Sequence, residues 1–430
     1  MKSRFTSLFV VAVLLMAASG CGGSPPTIPT PTIQVPLPQL PTATPRPLLA
    51  TPTPLHSSAN PTAGPRQTQA PTPAPASTPV TPGKVLRMQT PEYGIQVFLW
   101  WQPMTTDRDL KAVKDAGFTW VKQSFSWVDI EGAGKGALDW NEADRVVEAI
   151  REYGLDIVAR VDKEPEWARK GATKGPVANY ADYGDFLFQM ASRYKGRIRA
   201  YEVWNEPNLG REWGGQADAA EYVKMLKVAY ERIKQADPSA AVVTAGLSPT
   251  TSWGENVPDE DFLKRMYVAG ARPYFDFLGA HAAGYKAPPE TDPAEVASGK
   301  LKQYCAWEKE CARIYVFRHV EDLRKIMVDN GDSGKQVMVL EFGWDSDNRQ
   351  DSLYKWHYVS EDTKADYIIR AYQYARKNWS PWMGMMTLIY VAKPDWTDKS
   401  EEYWWSITYP DGRPRPAYTA FKEWRAQGSP

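Results

Sequence analysis

Eight short apolar, β-rich runs recur along the last 340 or so residues of this 430-residue chain, and each is followed by a helical pattern. The runs cover 94–100, 119–125, 156–161, 198–203, 241–245, 275–280, 336–340 and 385–390. Between them, Ala143, Val146, Val147 and Ile150 recur at the i, i+3, i+4, i+7 spacing of one helix face. Val223, Leu226, Tyr230 and Ile233 mark a second such face, Ile368, Ala371 and Ala375 a third, and 415–427 reads as a closing helix. Thr106 and Pro258 stand where helices are expected to begin. Strict strand–helix alternation makes this an α/β chain, and eight units make a single (β/α)8 TIM barrel the expected architecture. A doubly wound open sheet is the alternative. Its Gly-rich turn after the first strand is missing, because Phe98-Leu-Trp-Trp-Gln-Pro contains no glycine.

Composition separates this body from what precedes it. All 18 Trp occur from Trp100 onward and every acidic residue from Glu92 onward, whereas 18 of the 36 Pro lie within 25–82. Six of the 51 basic residues precede Glu92, so the net charge of +0 conceals a mildly acidic body. An acidic body argues against a nucleic-acid partner, which would require a basic face. No run of 18 apolar residues exists, so no spanning helix is expected.

Lys2 and Arg4, the apolar stretch 9–18 and the small residues Ala18, Ser19 and Gly20 form a secretory signal pattern over 1–20. Cys21 directly after them resembles a bacterial lipobox, although Ala18 stands where Leu is usual. That resemblance implies lipidation of Cys21, with the lipid as the only membrane contact, at the bacterial cell surface. An ordinary cleaved signal peptide with an incidental Cys is the alternative. Residues 21–85 read as a disordered Pro/Thr-rich stalk, because 24–83 hold no acid and no aromatic and cannot offset the entropy of ordering. The barrel is then expected over 86–430.

Two further cysteines, Cys305 and Cys311, stand close together. In an exported protein a local disulfide is the simple reading, and two free thiols in a loop the other. Neither has metal-ligand company, so no metal site and no cofactor are expected.

In a barrel of this kind chemistry sits at the C-terminal strand ends. The fourth run ends in Tyr201-Glu-Val-Trp-Asn-Glu-Pro-Asn and the seventh in Val337-Met-Val-Leu-Glu-Phe-Gly-Trp. Glu206 and Glu341 thereby follow apolar strands, where a charge is costly unless it faces a polar cavity. Each alone is as readily a rim ion pair. Together they supply the two carboxyl groups that glycosidic cleavage requires.

These two motifs in this order resemble glycoside hydrolase clan A, especially its bacterial family 5 and family 39 branches, over roughly 92–427. The resemblance implies a carbohydrate substrate, with Glu206 as acid/base, Glu341 as nucleophile and Asn205 on the sugar 2-hydroxyl. It implies a charged neighbour for the nucleophile at Lys122, where the family often has Arg. On the sixth run, Gly279-Ala-His-Ala-Ala-Gly-Tyr places His281, but Ala283 stands where the family commonly has Tyr, and Tyr285 is the expected substitute. A charge on Glu341 is expected to raise the Glu206 pKa. Of the Trp residues just after strands (Trp127, Trp167, Trp213, Trp253, Trp344 and Trp396), Trp127 and Trp344 are the expected sugar-stacking platforms.

The reading that follows is a surface-anchored retaining glycoside hydrolase. A non-catalytic carbohydrate-binding protein on the same barrel and a transglycosylase are the competing ones.

Overall fold

The computed structural model describes residues 86–428 apart from 90, 170, 172–174, 176 and 308. The signal pattern, the stalk and Cys21 lie outside the described residues. Eight parallel strands close into a barrel in chain order: β1 (Glu92–Gln96), β2 (Trp120–Ser126), β3 (Asp156–Asp162), β4 (Ala200–Val203), β5 (Ala241–Thr244), β6 (Phe277–Ala283), β7 (Gln336–Gly343) and β8 (Met383–Leu388). One main outer helix follows each: α1 (Pro103–Asp115), α2 (Asn141–Glu152), α3 (Tyr180–Arg193), α4 (Ala219–Ala236), α5 (Asp259–Val268), α6 (Val320–Asp329), α7 (Glu361–Asn378) and α8 (Pro416–Ala426). This is the expected (β/α)8 barrel.

The strands form where they do because a sheet covered on both faces needs apolar residues at both parities. One parity turns inward: Trp120, Val158, Ala200, Val243, Phe277 and Met338 pack together inside the barrel. The other parity, including Val121, Ile157, Tyr201 and Val339, joins the larger layer between sheet and helices. There α2 contributes Ala143, Val146, Val147 and Ile150, all buried; a fully buried Val or Ile adds about 1.5–3 kcal/mol. The side chains of Asn179, Asp218 and Ser360 accept from first-turn amides and set the starts of α3, α4 and α7. Thr106 starts no helix. α1 begins at Pro103, which has no amide to satisfy, and the Thr106 hydroxyl donates back to the Gln102 carbonyl inside the first turn. Pro258 does stand directly before α5. Below the strands, Gln336 Nε2 donates to the Met88 carbonyl and its Oε1 accepts from the Met88 amide, so 86–89 closes the barrel floor.

Two departures from regular strand geometry sit at the opposite, C-terminal end. β7 carries one extra residue there: Val339 pairs with Ala280, but Glu341 pairs with His281. The same extra residue shows against β8, between Val339 and Phe342. Just past β4, Trp204 and Glu206 both stand at positive φ (73° and 42°), a conformation that costs a non-glycine residue about 1–3 kcal/mol and recurs at functional sites.

Candidate active site

The β7 bulge decides where Glu341 points. Val337 and Val339 face the helices, so uninterrupted alternation would send residue 341 the same way. The inserted residue shifts the parity, and Glu341 turns into the barrel mouth opposite His281. On β4 the left-handed turn at Trp204 and Glu206 ends the strand, and the Glu206 amide donates to the Gly246 carbonyl across on the β5 loop. The imidazole of His281 lies between the two carboxylates. Its Nδ1 is 3.0 Å from Glu206 Oε1 and 3.8 Å from Glu341 Oε2, so these two oxygens are at most about 7 Å apart. That bound is compatible with the retaining spacing of roughly 5–5.5 Å between the two carboxyl groups. Gly246 makes room for the ring: a Cβ there would lie 2.2 Å from His281 Nε2.

Beneath the carboxylates is a charged tier. Lys122 Nζ lies 2.9 Å from Glu341 Oε1 and 3.3 Å from Glu202 Oε2, with its side chain 1% and that of Glu202 0% exposed. Arg160 on β3 reaches Asp162 at 3.0 Å, donates to Asn205 Oδ1 at 3.3 Å and stands 3.7 Å from Glu341. Burial alone would raise the Glu341 pKa. Lys122, then His281 and Arg160, outweigh burial and the Glu206 charge, and hold it below the usual carboxylate range. Glu202 goes the other way, because burial outweighs the same cations.

Glu206 contradicts the expected rise. Burial pushes its pKa up, but the His281 hydrogen bond and charge, followed by the Arg211 guanidinium, pull it down to about 2. Arg211 sits 3.5 Å from Glu206 Oε2 on a side chain that is 69% exposed. The surroundings of the free site thus favour the ionised form of both carboxyls.

The aromatic residues divide differently from expectation. Trp127 and Trp344 are fully buried in the layer between sheet and helices, and neither offers a face to a ligand. Trp127 packs on Phe186 of α3 and donates to Glu131. Trp344 donates to the Ala287 carbonyl and lies against Gly284, where a Cβ would meet its ring at 2.0 Å. Trp213 is buried as well. Phe98, Tyr390 and Trp396 instead form a mutually edge-on cluster at the ends of β1 and β8, and the Glu341 charge reaches the Tyr390 phenol. Ala283 pairs with Gly343, so no hydroxyl occupies the position where the family has one. Tyr285 packs on Trp356 and Tyr315. Burial first, then the charges of Asp259 and Glu206, push its phenol up. Cys305 and Cys311 are joined in a disulfide.

Sequence reasoning passed over Arg160, Glu202 and Arg211. The first two were detectable, since both stand at inward parity on their strands, in line with Val158 and Ala200. Among the described residues, Glu260, His319 and Asp322 come close enough to hold a metal ion. However, both His319 ring nitrogens are engaged, by Asp259 at 2.9 Å and Asp322 at 3.0 Å. No imidazole lone pair is left to bind an ion there.

A family model described as cellulase (glycosyl hydrolase family 5) matches residues 79–384. A β-xylosidase of Geobacillus stearothermophilus is 29% identical over 178 residues, 37% of this chain and 34% of that protein. A β-xylosidase of Caldicellulosiruptor saccharolyticus is 29% identical over 155 residues, 32% and 30% of the two chains. The chain thus spans about a third of the length of these curated relatives. Among solved structures, a family 39 glycoside hydrolase from Bacteroides cellulosilyticus WH2 superposes with a TM-score of 0.58 at 19% identity, over 79% of this chain and 64% of that one. GH5_18 from Streptomyces cattleya in complex with GlcNAc gives 0.54 at 13% identity, over 79% and 80%. At these identities the structural likeness speaks to the barrel itself.

Proposed function

The chain belongs to the cellulase family, glycosyl hydrolase family 5, and on that premise we propose that it is a retaining glycosidase working by double displacement, with Glu341 as nucleophile and Glu206 as acid/base. The observation that carries this reading is the single His281 nitrogen lying within 3.0 and 3.8 Å of the two carboxylates. A nucleophile must be anionic, and Lys122 and Arg160 keep Glu341 so. In the first step a Glu341 oxygen bonds to the anomeric carbon, the glycosidic C–O bond breaks, and the leaving oxygen takes a proton from Glu206. In the second, Glu206 as carboxylate removes a proton from water, the water oxygen bonds to the anomeric carbon, and the Glu341 ester bond breaks.

The first step needs Glu206 protonated, which the free site opposes. The exposed Arg211 makes the long 3.5 Å contact, and it is the partner a leaving-group sugar displaces most easily. Displacing Arg211 removes one of the charges that lower the Glu206 pKa, after the larger His281 contact, and so shifts Glu206 toward the protonated form that the first step uses. Asn205, positioned by Arg160, serves the sugar 2-hydroxyl. The substrate is a carbohydrate with a β-linkage, in keeping with the β-xylosidase relatives and with structural neighbours solved with Manβ1-4GlcNAc. The signal pattern and Cys21 add a lipid-anchored location at the cell envelope.

A dinitrophenyl glycoside tests the division of labour, because its leaving group departs without a proton. Glu341→Gln is expected to lose turnover of every substrate. Glu206→Ala is expected to keep the first step on the activated glycoside and lose about 10²–10⁴-fold on a sugar leaving group. Azide, a nucleophile that needs no base, then restores turnover and yields a glycosyl azide of retained configuration. An inverted product, or wild-type rates in Glu341→Gln, refutes the assignment.

A further inference from the structure

The 284–312 segment after β6 carries a feature that the two carboxylates do not use. Ala306 and Glu310 pair as an antiparallel bridge, and the Cys305–Cys311 disulfide closes that hairpin at its base. Cys305 is buried with Ala287, Val296 and Val316, so the base is fixed to the body. At the tip stands Trp307, at φ 46° and 39% exposed. Its ring lies 5.1 Å from that of Trp356, on the 355–357 turn after β7, and Trp356 in turn stacks on Tyr285 at 5.5 Å. Tyr285 lies two residues past the end of β6, the strand that carries His281. The three rings therefore form a continuous aromatic row from the loop after β6, at the mouth of the barrel, out to an exposed tip. The Phe98, Tyr390 and Trp396 cluster lies at the ends of β1 and β8.

We propose that Tyr285, Trp356 and Trp307 form an outlying sugar-binding platform beside the cleft, held in place by the Cys305–Cys311 hairpin, so that the preferred substrate is a chain of several sugars. Sugar rings present apolar C–H faces, and a row of aromatic rings repeats the chemistry that receives them. A single exposed aromatic is ordinary, and what marks Trp307 is its place at the end of a row of rings that begins at the barrel mouth. The occupant is a carbohydrate because the row is continuous with a cleft whose proposed substrate is one. This inference rests on that reading for the chemical class of its ligand. The disulfide restrains the loop without touching the carboxylates, which makes the platform separable from the chemistry.

The test compares the wild type with Trp307→Ala, Trp307→Phe and the double variant Cys305→Ser/Cys311→Ser. The probes are aryl monoglycosides, and xylo-, cello- and mannooligosaccharides of two to six units. Trp307 is at a loop tip, so its variants are expected to fold. Trp307→Ala should leave kcat and KM on the aryl monoglycoside unchanged and raise KM on the longest cleaved oligosaccharide roughly tenfold. Trp307→Phe should restore most of that loss, and the double Ser variant should reproduce it. Calorimetric titration with the six-unit chains reads the platform independently of turnover. Binding that depends on Trp307 in a catalytically silent wild type would uphold the platform and overturn the glycosidase assignment. Equal affinity for short and long chains, or a Trp307→Ala variant matching wild type on both, overturns the platform and leaves that assignment standing.

Discussion

Replacing Lys122 by Met tests whether the buried tier sets the ionisation of the proposed nucleophile. Lys122 Nζ stands 2.9 Å from Glu341 and 3.3 Å from Glu202, in a position almost closed to solvent. An opposite charge at such range lowers a carboxyl pKa by about 1–3. Arg160 at 3.7 Å and His281 at 3.8 Å stay behind in the variant, so part of the depression survives the loss of Lys122. Glu341 has a depressed pKa in the folded protein, and its reactive ionised form exists above that pKa. Removing Lys122 raises the pKa, so the acid limb of kcat/KM moves to higher pH by the same amount. The stability linked to Glu341 has the same sign. It is present above the unfolded carboxyl pKa and lost as pH falls through the lower folded one, and the variant forfeits it.

Glu202 limits the damage to the fold. Burial already raises its pKa, and without Lys122 it takes up a proton instead of remaining a buried charge. The cost should therefore stay below the roughly 3–5 kcal/mol of an uncompensated buried ion. The assay is kcat/KM on a dinitrophenyl glycoside from the most acidic pH at which both proteins stay folded up to about pH 8, with a leaving group for which acid assistance from Glu206 cannot mask the nucleophile. Thermal unfolding confirms that the variant is folded, and Lys122→Arg serves as the charge-preserving control. A folded Lys122→Met protein whose acid limb coincides with that of wild type would refute the assigned electrostatic role.

Two further outcomes are expected. His319 bridges Asp259 of α5 and Asp322 of α6. Burial opposes its charge, but the two carboxylates prevail and raise its pKa to about 10. The raised pKa contributes stability that is fully present below the unfolded histidine value near 6.5 and is lost as pH rises through about 10. His319→Gln should thus cost most near pH 6, up to a few kcal/mol at about 1.4 kcal/mol for each tenfold gain in proton affinity. The gap from wild type in urea unfolding should shrink towards pH 10, and a gap independent of pH would refute the pairing. Cys21→Ser should move the protein out of the membrane fraction or leave an uncleaved precursor, and unchanged partitioning with normal processing would refute the lipid anchor.

The barrel was legible because strands covered on both faces are written as nearly continuous apolar runs, which little else in a soluble chain resembles. Where a run overran its strand, the cause is specific. The run 94–100 extends past β1 because Phe98 belongs to an aromatic cluster in the mouth, and that apolarity serves the site rather than the sheet. The tier of Lys122, Arg160 and Glu202 was half legible. Lys122 came from a family resemblance, while Arg160 and Glu202 needed inward parity to be carried from one strand to the next.

The errors over Trp127 and Trp344 have a different origin. A position just after a strand gives height along the barrel axis and says nothing about which side of the strand wall the ring takes. For Trp344 that choice depends on Gly284, whose missing Cβ opens a slot on the outer side, and for Trp127 on Phe186, a partner on α3 far along the chain. Glu341 poses the same problem in the opposite sense. Simple alternation would place it outside with Val337 and Val339, and one inserted residue brings it in. A bulge is settled by the register of both neighbouring strands, so no local window of sequence contains it. The Glu206 pKa failed for the same reason. The expectation weighed one carboxylate against another, whereas the fold sets His281, 75 residues on in β6, and Arg211, five residues on in the loop after β4, against Glu206 at the same time. In each case what was missing was a contact that only the folded chain supplies.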